Sequence, residues 1–268
     1  TLALVMRAQL SRPELEVVGF LVTLEPVELG LFRRHQELEH EIAVRGREIL
    51  GQPLQPGGLP LVAPGKVEPG RLVALAEQWF GELEPGKATA PETARFTGGN
   101  RVGRSHGDQA HLALGFAGPG LLDPEAYAAR LFAEIAGGGA SSRLFQQVRE
   151  ERGLAYSVWA SFQPWRDVGL TSVYAATARS QSAPAAQLVE QVLVETARNA
   201  TERELARVKT QAKAALLMWL ESPWGQANYL ARQPPTHGRL VEPREIVDRI
   251  DSVTLDQVRA AGMVMLEG

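Results

Sequence analysis

The segment REERGLAYSV, residues 149–158, places an arginine and a tyrosine seven positions apart around a glycine. Arg149 carries a guanidinium that is always charged and whose fork can donate to a carbonyl or an oxyanion. Tyr156 adds a hydroxyl that stays neutral at pH 7 and can donate its proton. Two such donors at the mouth of a cleft would stabilise negative charge that develops on a substrate. A plainer interpretation leaves Tyr156 in the core and pairs Arg149 with Glu150 or Glu151.

The local periodicity supports both interpretations. Seven residues equal about two helical turns, so a helix through this segment would project Arg149 and Tyr156 in the same direction. The segment LAYSVWASF alternates, however, and this alternation places Tyr156 on one strand face with Leu154 and Val158. The first pattern favours a pair of donors, and the second favours a core tyrosine.

Directly upstream, GGGASS (residues 137–142) leads a glycine run into a predicted helix. Glycine before a helix N-terminus can hold an anion or let a peptide backbone approach closely. An alternative that stays open is a helix-to-helix turn that needs positive φ angles. The run is not G-x-G-x-x-G and no strand immediately precedes it, which excludes a nucleotide site. The candidate substrate-binding residues are Gly137, Gly138, Gly139, Ser141 and Ser142.

The histidines form no recognisable zinc motif. His35 and His40, in HQELEHE, are five residues apart, so on a helix their rings would point in different directions. A helical zinc pair needs a spacing of about four residues. His106, His111 and His237 are scattered along the chain. The sequence therefore predicts no metal ligand in this chain, and HQELEHE is interpreted as a solvated helix face.

Composition narrows the class of protein. The chain has 268 residues, of which 44% are hydrophobic and 22% charged, as expected of a soluble globular protein. A net charge of −3 argues against a nucleic-acid partner. There is no cysteine, which excludes disulfides and thiolate chemistry. No apolar run reaches the roughly 18 residues of a membrane span. The compartment stays open between cytoplasm and periplasm.

Residues 1–88 show mixed patterns. TLALVMRAQL lacks a basic leader and a cleavage site, so it is predicted as a helix of the fold and not as a signal peptide. EVVGFLVTL predicts a strand, and a short apolar strand is expected within the proline- and glycine-rich residues 52–65. Further helices are predicted at residues 31–50 and at residues 67–83, the latter with a stop near Gly81. Residues 89–105 are polar and rich in Gly, Thr and Pro, which is typical of a linker.

Residues 106–268 are more regular. AHLALGF predicts a strand with Leu112, Leu114 and Phe116 on one face. A helix with Asp123 as its N-cap follows, and then a helix capped by Ser141 or Ser142 that ends at a left-handed Gly153. LAYSVWASF and DVGLTSVYAATA are expected to pair as antiparallel strands. Later helices include two that open with capping boxes, Thr201 with Glu204 and Thr254 with Gln257. The order favours an α+β fold, with an antiparallel sheet covered by helices on one face.

Within this frame, GGGASSRLFQQVREERGLAYSV resembles a signature of the pitrilysin and mitochondrial processing peptidase family, metallopeptidases with an inverted zinc motif. The segments HLALGF, DVGLTSVYAATA, TERELARVKTQAKAALL and IDSVTLDQVRAAG agree with the same half of the family. The resemblance covers roughly residues 105–266. A weaker resemblance covers PLVAPGKVEPGRLVALAEQWFGELEPG, which is similar to the end of the family's N-terminal half.

The resemblance implies two homologous α+β halves that enclose a peptide-binding cleft. On that pattern, residues 1–88 are a partial N-terminal half, residues 89–105 are the linker, and residues 106–268 are the C-terminal half. In active relatives the N-terminal half carries H-x-x-E-H and a distant glutamate, which hold zinc and activate water. This chain departs from that pattern, so its N-terminal half is expected to be shortened or incomplete.

Matched residue by residue, the resemblance makes Arg149 and Tyr156 the pair that the C-terminal half contributes to the catalytic site. The expectation is a subunit of a zinc metallopeptidase that binds unfolded peptides. Zinc would belong to the assembled enzyme and not to this chain, and the partner would be a homologous zinc-bearing subunit in a heterodimer, or a second copy in a homodimer. Two alternatives are a non-catalytic assembly subunit with the same fold, and an intact zinc peptidase whose zinc site lies in residues absent from the sequence.

Overall fold

A computed structural model describes residues 4–5, 61–63, 68–81, 93–100, 102–103 and 108–267. Contacts along the chain divide it into two compact units. The first comprises Thr1–Pro91 and Leu216–Val241, and the second comprises Glu92–Ala215 and Glu242–Gly268. The strand expected in EVVGFLVTL, the helix expected at residues 31–50, and His35, His40 and His106 lie outside the described residues.

The first unit contains a small antiparallel pair of strands, β1 (Leu4–Val5) and β2 (Val62–Ala63). The prediction of the short apolar strand is confirmed by β2, whereas the helix expected at the N-terminus is wrong at Leu4–Val5. Pairing with β2 decides the conformation there, because tertiary contacts override a weak local preference. The helix predicted at residues 67–83 is confirmed as α1 (Pro69–Phe80), which ends at Gly81.

The second unit supplies the elements around Arg149 and Tyr156. Its strands are β3 (Gln109–Gly118), β4 (Ser157–Pro164) and β5 (Gly169–Ala178). A π-helix spans Phe145–Glu151 and a short 3-10 turn spans Arg179–Gln181. The remaining helices, in chain order, are α2 (Ala126–Gly137), α3 (Ser182–Asn199), α4 (Glu202–Glu221), α5 (Pro223–His237), α6 (Pro243–Ser252) and α7 (Leu255–Glu267). Of these helices, α4 contributes to both units and α5 lies in the first.

The three long strands form one antiparallel sheet in the order β3-β5-β4. The predicted hairpin is confirmed, because β4 pairs with β5 from Ser157 opposite Ala176 to Pro164 opposite Gly169. Helices cover one face: Phe132 and Ile135 of α2 are buried in one core with Val158 of β4 and Val173 of β5. The expected α+β class, with an antiparallel sheet, is therefore confirmed.

Both predicted capping boxes are present. The backbone N–H of Thr201 donates to Glu204 Oε2 at 2.8 Å, and the backbone N–H of Glu204 donates back to Thr201 Oγ1 at 3.3 Å. Thr254 and Gln257 make the same reciprocal bonds. The cap predicted at Asp123 is wrong, since α2 begins three residues later and the Asp123 carboxylate accepts from the backbone N–H of Gly120 at 2.6 Å. Asp123 therefore fixes the preceding turn.

No helix among the described residues combines the length and the apolar composition that crossing a bilayer requires.

Candidate functional site

Arg149 lies in the π-helix, where buried Val148 anchors the segment to the core. The Arg149 guanidinium lies 4.8 Å from the centroid of the Phe145 ring, a cation–π arrangement that steadies a long side chain. Its Nε is also 3.7 Å from Glu150 Oε1, and the Arg149 side chain is 45% exposed. An exposed ion pair of that length is worth little, so Arg149 keeps its donors available to a ligand.

The π-helix ends just after Arg149, and a tight return follows. Gly153 has φ +61°, which confirms the predicted left-handed residue. The backbone N–H of Leu154 then donates to Val148 O at 2.9 Å, folding the chain back along the helix. Tyr156 therefore belongs to the extended segment that enters β4, and it does not lie two helical turns beyond Arg149 on one continuous helix.

Tyr156 itself points out of the protein. The residue is 60% exposed, while Ala155 before it and Val158 two positions after it are both buried. The expectation that Tyr156 shares a face with Val158 is wrong, because the alternation slips by one residue. The core therefore does not enclose this phenol.

The slip has a structural cause at the start of β4. Ser157 is paired with Ala176, yet the backbone N–H of Tyr156 also donates to Ala176 O at 2.8 Å. Two residues on one strand thus oppose one on its neighbour, as in a β-bulge, which re-aims side chains. Both residues between the buried Ala155 and Val158 are placed on the face of the sheet that no helix of the described residues covers.

Three rings that no short-range pattern groups lie together on this face of the sheet. Trp159 of β4 stacks on Tyr174 of β5 with centroids 5.5 Å apart, and Tyr174 stacks on His111 of β3 at 6.0 Å. The Tyr174 hydroxyl and His111 Nδ1 also hydrogen-bond at 2.8 Å. His111 is exposed on the face opposite Leu112, as its place in the strand predicts. Cross-strand register was the missing signal, because these rings are distant in sequence.

The glycine run is placed for close packing. A Cβ at Gly137 would overlap the backbone nitrogen of Ala160 and lie 2.7 Å from the Ala160 Cβ, so α2 approaches β4 more closely than any other residue would permit. A Cβ at Gly138 would overlap the Glu134 carboxylate, whereas one at Gly139 would meet open space. Among the described residues, positive φ occurs at Gly153 and Gly238 and not in this run. Positive φ angles are therefore not the reason for the glycines.

The two serines of the loop make internal bonds. Ser142 is buried, and its hydroxyl donates to Gly139 O at 2.6 Å. The Ser141 hydroxyl accepts from Arg207 Nη1 at 2.6 Å. Ser142 does lie at the predicted cap position, because the helix begins at Arg143 and the backbone N–H of Gln146 donates to Ser142 O at 3.0 Å. Its hydroxyl, however, bonds back to the loop and not to the helix. The loop is closed by its own hydrogen bonds and by a cation from α4.

Arg143 ties the end of this loop to two helices. Its Nε donates to Glu204 Oε1 at 2.7 Å and its Nη2 to Glu204 Oε2 at 2.8 Å, a two-pronged ion pair. Arg143 Nη2 also donates to Asn199 O at the end of α3. Burial alone would raise the pKa of Glu204, but hydrogen bonds from Arg143 and Thr201 outweigh it and lower the pKa to about 2.

A second carboxylate beside the loop behaves in the opposite way. Burial raises the pKa of Glu134, and the nearby cations Arg130 and Arg207 oppose that rise only in part. The loop is thus held between a fully ionised pair at Glu204 and a carboxyl at Glu134 whose charged form is disfavoured.

A catalytic zinc takes about three protein ligands and one water. In the portion of the chain that the structure describes, no three His, Cys, Asp or Glu side chains come together in a way that could hold a metal ion. The described residues therefore do not fit zinc.

A groove of about 970 Å³ lies elsewhere in the second unit, between the start of α2 and the last two helices. Leu122, Phe132, Val253 and Val264 are among its apolar lining residues. None of the predicted site residues lines it. Its walls are mostly apolar, with Asp123, Arg249 and Gln257 among the polar lining residues.

Comparison with known proteins places this arrangement in a family. The model of the peptidase M16 inactive domain matches residues 52–212, which is more than half of the chain. The chain belongs to the M16 peptidase family. This confirms the resemblance seen in the glycine loop and in the segment from Arg149 to Tyr156.

Curated relatives of this M16 chain are named as uncharacterized zinc proteases. One from Rickettsia felis is 32% identical over 203 residues, covering 75% of this chain and 49% of the relative. One from Mycobacterium leprae is 34% identical over 209 residues, covering 75% of this chain and 47% of the relative. The chain thus spans about half the length of the curated relatives it matches.

Solved structures agree with the M16 fold. A peptidase M16 inactive domain from Pseudomonas fluorescens superposes with a TM-score of 0.62 at 26% identity, covering 75% of this chain and 48% of that one. A chain of Complex III2 from Candida albicans gives a TM-score of 0.65 at 21% identity, covering 74% and 50%. The second likeness shows the shared fold alone.

Proposed function

We propose that this M16 chain is the substrate-positioning part of a zinc metallopeptidase, and that Arg149 and Tyr156 hold an unfolded peptide at the catalytic centre. The observation that carries the proposal is the exposure of Tyr156 through the irregular start of β4. A tyrosine retained for packing would be expected inside the core, with its neighbours Ala155 and Val158.

The chemistry of the pair suits a developing oxyanion. The Tyr156 phenol is a neutral donor, and the Arg149 guanidinium is a fixed positive charge whose reach is limited by its contact with the Phe145 ring. Donors fixed in place before the reaction need little rearrangement as negative charge forms on the substrate carbonyl. Arg149 and Tyr156 would orient the scissile bond and stabilise that charge.

The substrate is an unfolded peptide that pairs as an added strand along a sheet edge. In the described sheet, β3 and β4 are the outer strands. The zinc would be supplied by a homologous zinc-bearing subunit, or by another copy in a homodimer, across a cleft between two homologous halves. In this chain the halves would be residues 1–88 and residues 106–268, joined by the linker at residues 89–105. The loop of residues 137–142 would border the same cleft.

The test reconstitutes this chain with a homologous zinc-bearing M16 subunit from the same genome and follows cleavage of a fluorogenic peptide. Arg149→Ala and Tyr156→Phe should each lower kcat/KM, by roughly 100-fold if the pair acts in a water-poor site. Arg152→Ala is the matched control, because Arg152 is an exposed arginine just past the end of the same π-helix. It should leave the rate unchanged.

Equal rates for wild type, Arg149→Ala and Tyr156→Phe would reject the positioning role and leave a non-catalytic assembly subunit. Metal analysis of the full-length gene product separates the remaining alternative. About one tightly bound zinc per chain would indicate an intact peptidase that carries its own site.

A further inference from the structure

Three stacked rings cross, in a row, the face of the sheet that no described helix covers, one from each strand. We call Trp159, Tyr174 and His111 the aromatic row. Their centroid spacings of 5.5 and 6.0 Å and interplanar angles of 24° and 26° make one continuous stack. Trp159 is 41% exposed, and His111 is exposed as well. Large rings of this kind are normally buried or in use at an interface.

The surroundings of the row are small and uncharged. Its neighbours on the same face include Ala113, Ser157, Ser161, Ser172 and Ala176. The strands β3, β4 and β5 contain no Asp, Glu, Lys or Arg. The row is thus a ridge flanked by small uncharged side chains, three of them serines, where a large side chain could lie against ring surface.

The row lies on the same face as Tyr156. The irregular pairing at Ala176 turns Tyr156 to the uncovered side, and Trp159 follows three residues later on that side. A peptide held at Tyr156 in an extended conformation advances about 3.3 Å per residue. One of its side chains would therefore pass over the aromatic row within a few residues of the contact with Tyr156.

We propose that the aromatic row is a subsite that binds a bulky uncharged side chain of the peptide, preferably an aromatic one. The proposal rests on the proposed function for the nature of the ligand. Charge decides the class of side chain. A basic residue could stack on the rings, but the strands offer no carboxylate to pair with it. An acidic residue meets no cation on these strands.

Direct binding to the full 268-residue chain tests the subsite without requiring catalysis. Three dye-labelled unstructured peptides, identical except for Phe, Ala or Lys at one central position, are titrated and followed by fluorescence anisotropy. The Phe peptide should bind about three- to tenfold more tightly than the Ala peptide, as expected for one added ring contact. The Lys peptide should bind no better than the Ala peptide.

Substitutions of Trp159 test whether the preference for the Phe peptide depends on the aromatic row. Trp159→Ala should abolish it, and Trp159→Thr should do the same while keeping a residue that favours strands. Gln163→Ala is the matched control, because Gln163 is exposed on the same strand and the same face away from the rings, and it should keep the full preference. Urea denaturation of each variant confirms that the fold is intact.

Equal affinities for the Phe and Ala peptides in the wild type, or no measurable binding of any peptide, would overturn the subsite. So would a preference that survives both Trp159 variants, and so would a Lys peptide that binds as tightly as the Phe peptide. Arg149→Ala should retain the preference for Phe. If only the positioning role is wrong, Arg149→Ala and Tyr156→Phe leave the cleavage rate unchanged while the wild type still prefers the Phe peptide. If only the subsite is wrong, the wild type binds the Phe and Ala peptides equally.

Discussion

The two ends of the glycine loop at residues 137–142 are close in sequence to the exposed Tyr156 but are buried. In the loop, Gly137 presses against the backbone of β4 and the Ser142 hydroxyl is buried and bonded internally. At Tyr156 the side chain faces outward and the backbone alone is tied to the sheet. The loop thus supports the strand that presents Tyr156, and a change in the loop should act through stability while a change at Tyr156 should act through binding.

The largest effect on stability is expected at Gly137. Gly137→Ala would drive a methyl group into the backbone of Ala160, so α2 must move away from β4. We expect a loss of about 2–3 kcal/mol in the free energy of unfolding, as for overpacking in a tight core. Urea denaturation followed by circular dichroism measures it.

Gly139→Ala is the control for the same loop, since a Cβ there meets open space and no positive φ is involved. Its free energy of unfolding should stay within about 0.5 kcal/mol of wild type or rise slightly. Equal destabilisation by the two substitutions would show that the glycines serve backbone freedom and not close packing.

A smaller effect is expected at the ion pair that ties the loop to α4. The pKa of Glu204 is about 2 in the folded protein against a usual value of 4.5. Its contribution is therefore fully present above about pH 4.5 and is lost as the pH falls toward 2. Partial exposure screens the pair, so Glu204→Gln should lower the free energy of unfolding by about 1–2 kcal/mol at pH 7.

The pH profile distinguishes that pair from a general loss of charge. The difference between wild type and Glu204→Gln should shrink steadily between about pH 4.5 and pH 2. Glu190→Gln, at an exposed position of α3, should track the wild type throughout. A difference that stays constant with pH would mean that the ion pair with Arg143 contributes nothing.

The smallest effect on stability is expected at Tyr156. Tyr156→Ser removes an exposed ring without opening a cavity, so the free energy of unfolding should change by less than about 0.5 kcal/mol. The same variant should lose peptide cleavage in the reconstituted enzyme. A large loss of stability would instead place Tyr156 with the packing residues of the loop and remove the contrast between the two regions.

Local signals predicted much of the fold. The capping boxes at Thr201 and Thr254, the left-handed Gly153 and the hairpin of β4 and β5 all follow from short-range rules, and all are present. The wrong predictions fall at positions whose conformation depends on residues far away in the sequence. Leu4–Val5 pairs with β2 although its sequence suggests a helix. The face of Tyr156 depends on a double alignment with Ala176, which lies on another strand.

By itself the sequence determined the family, the α+β class and the two residues proposed to contact substrate, because motif spacing and hydrophobic period are written along the chain. Only the tertiary structure decided which way those residues point. A strand alternates by residue number until an irregular pairing shifts it, and that shift at Tyr156 exists only when β4 and β5 are side by side. The aromatic row likewise exists only through the register that brings three strands together.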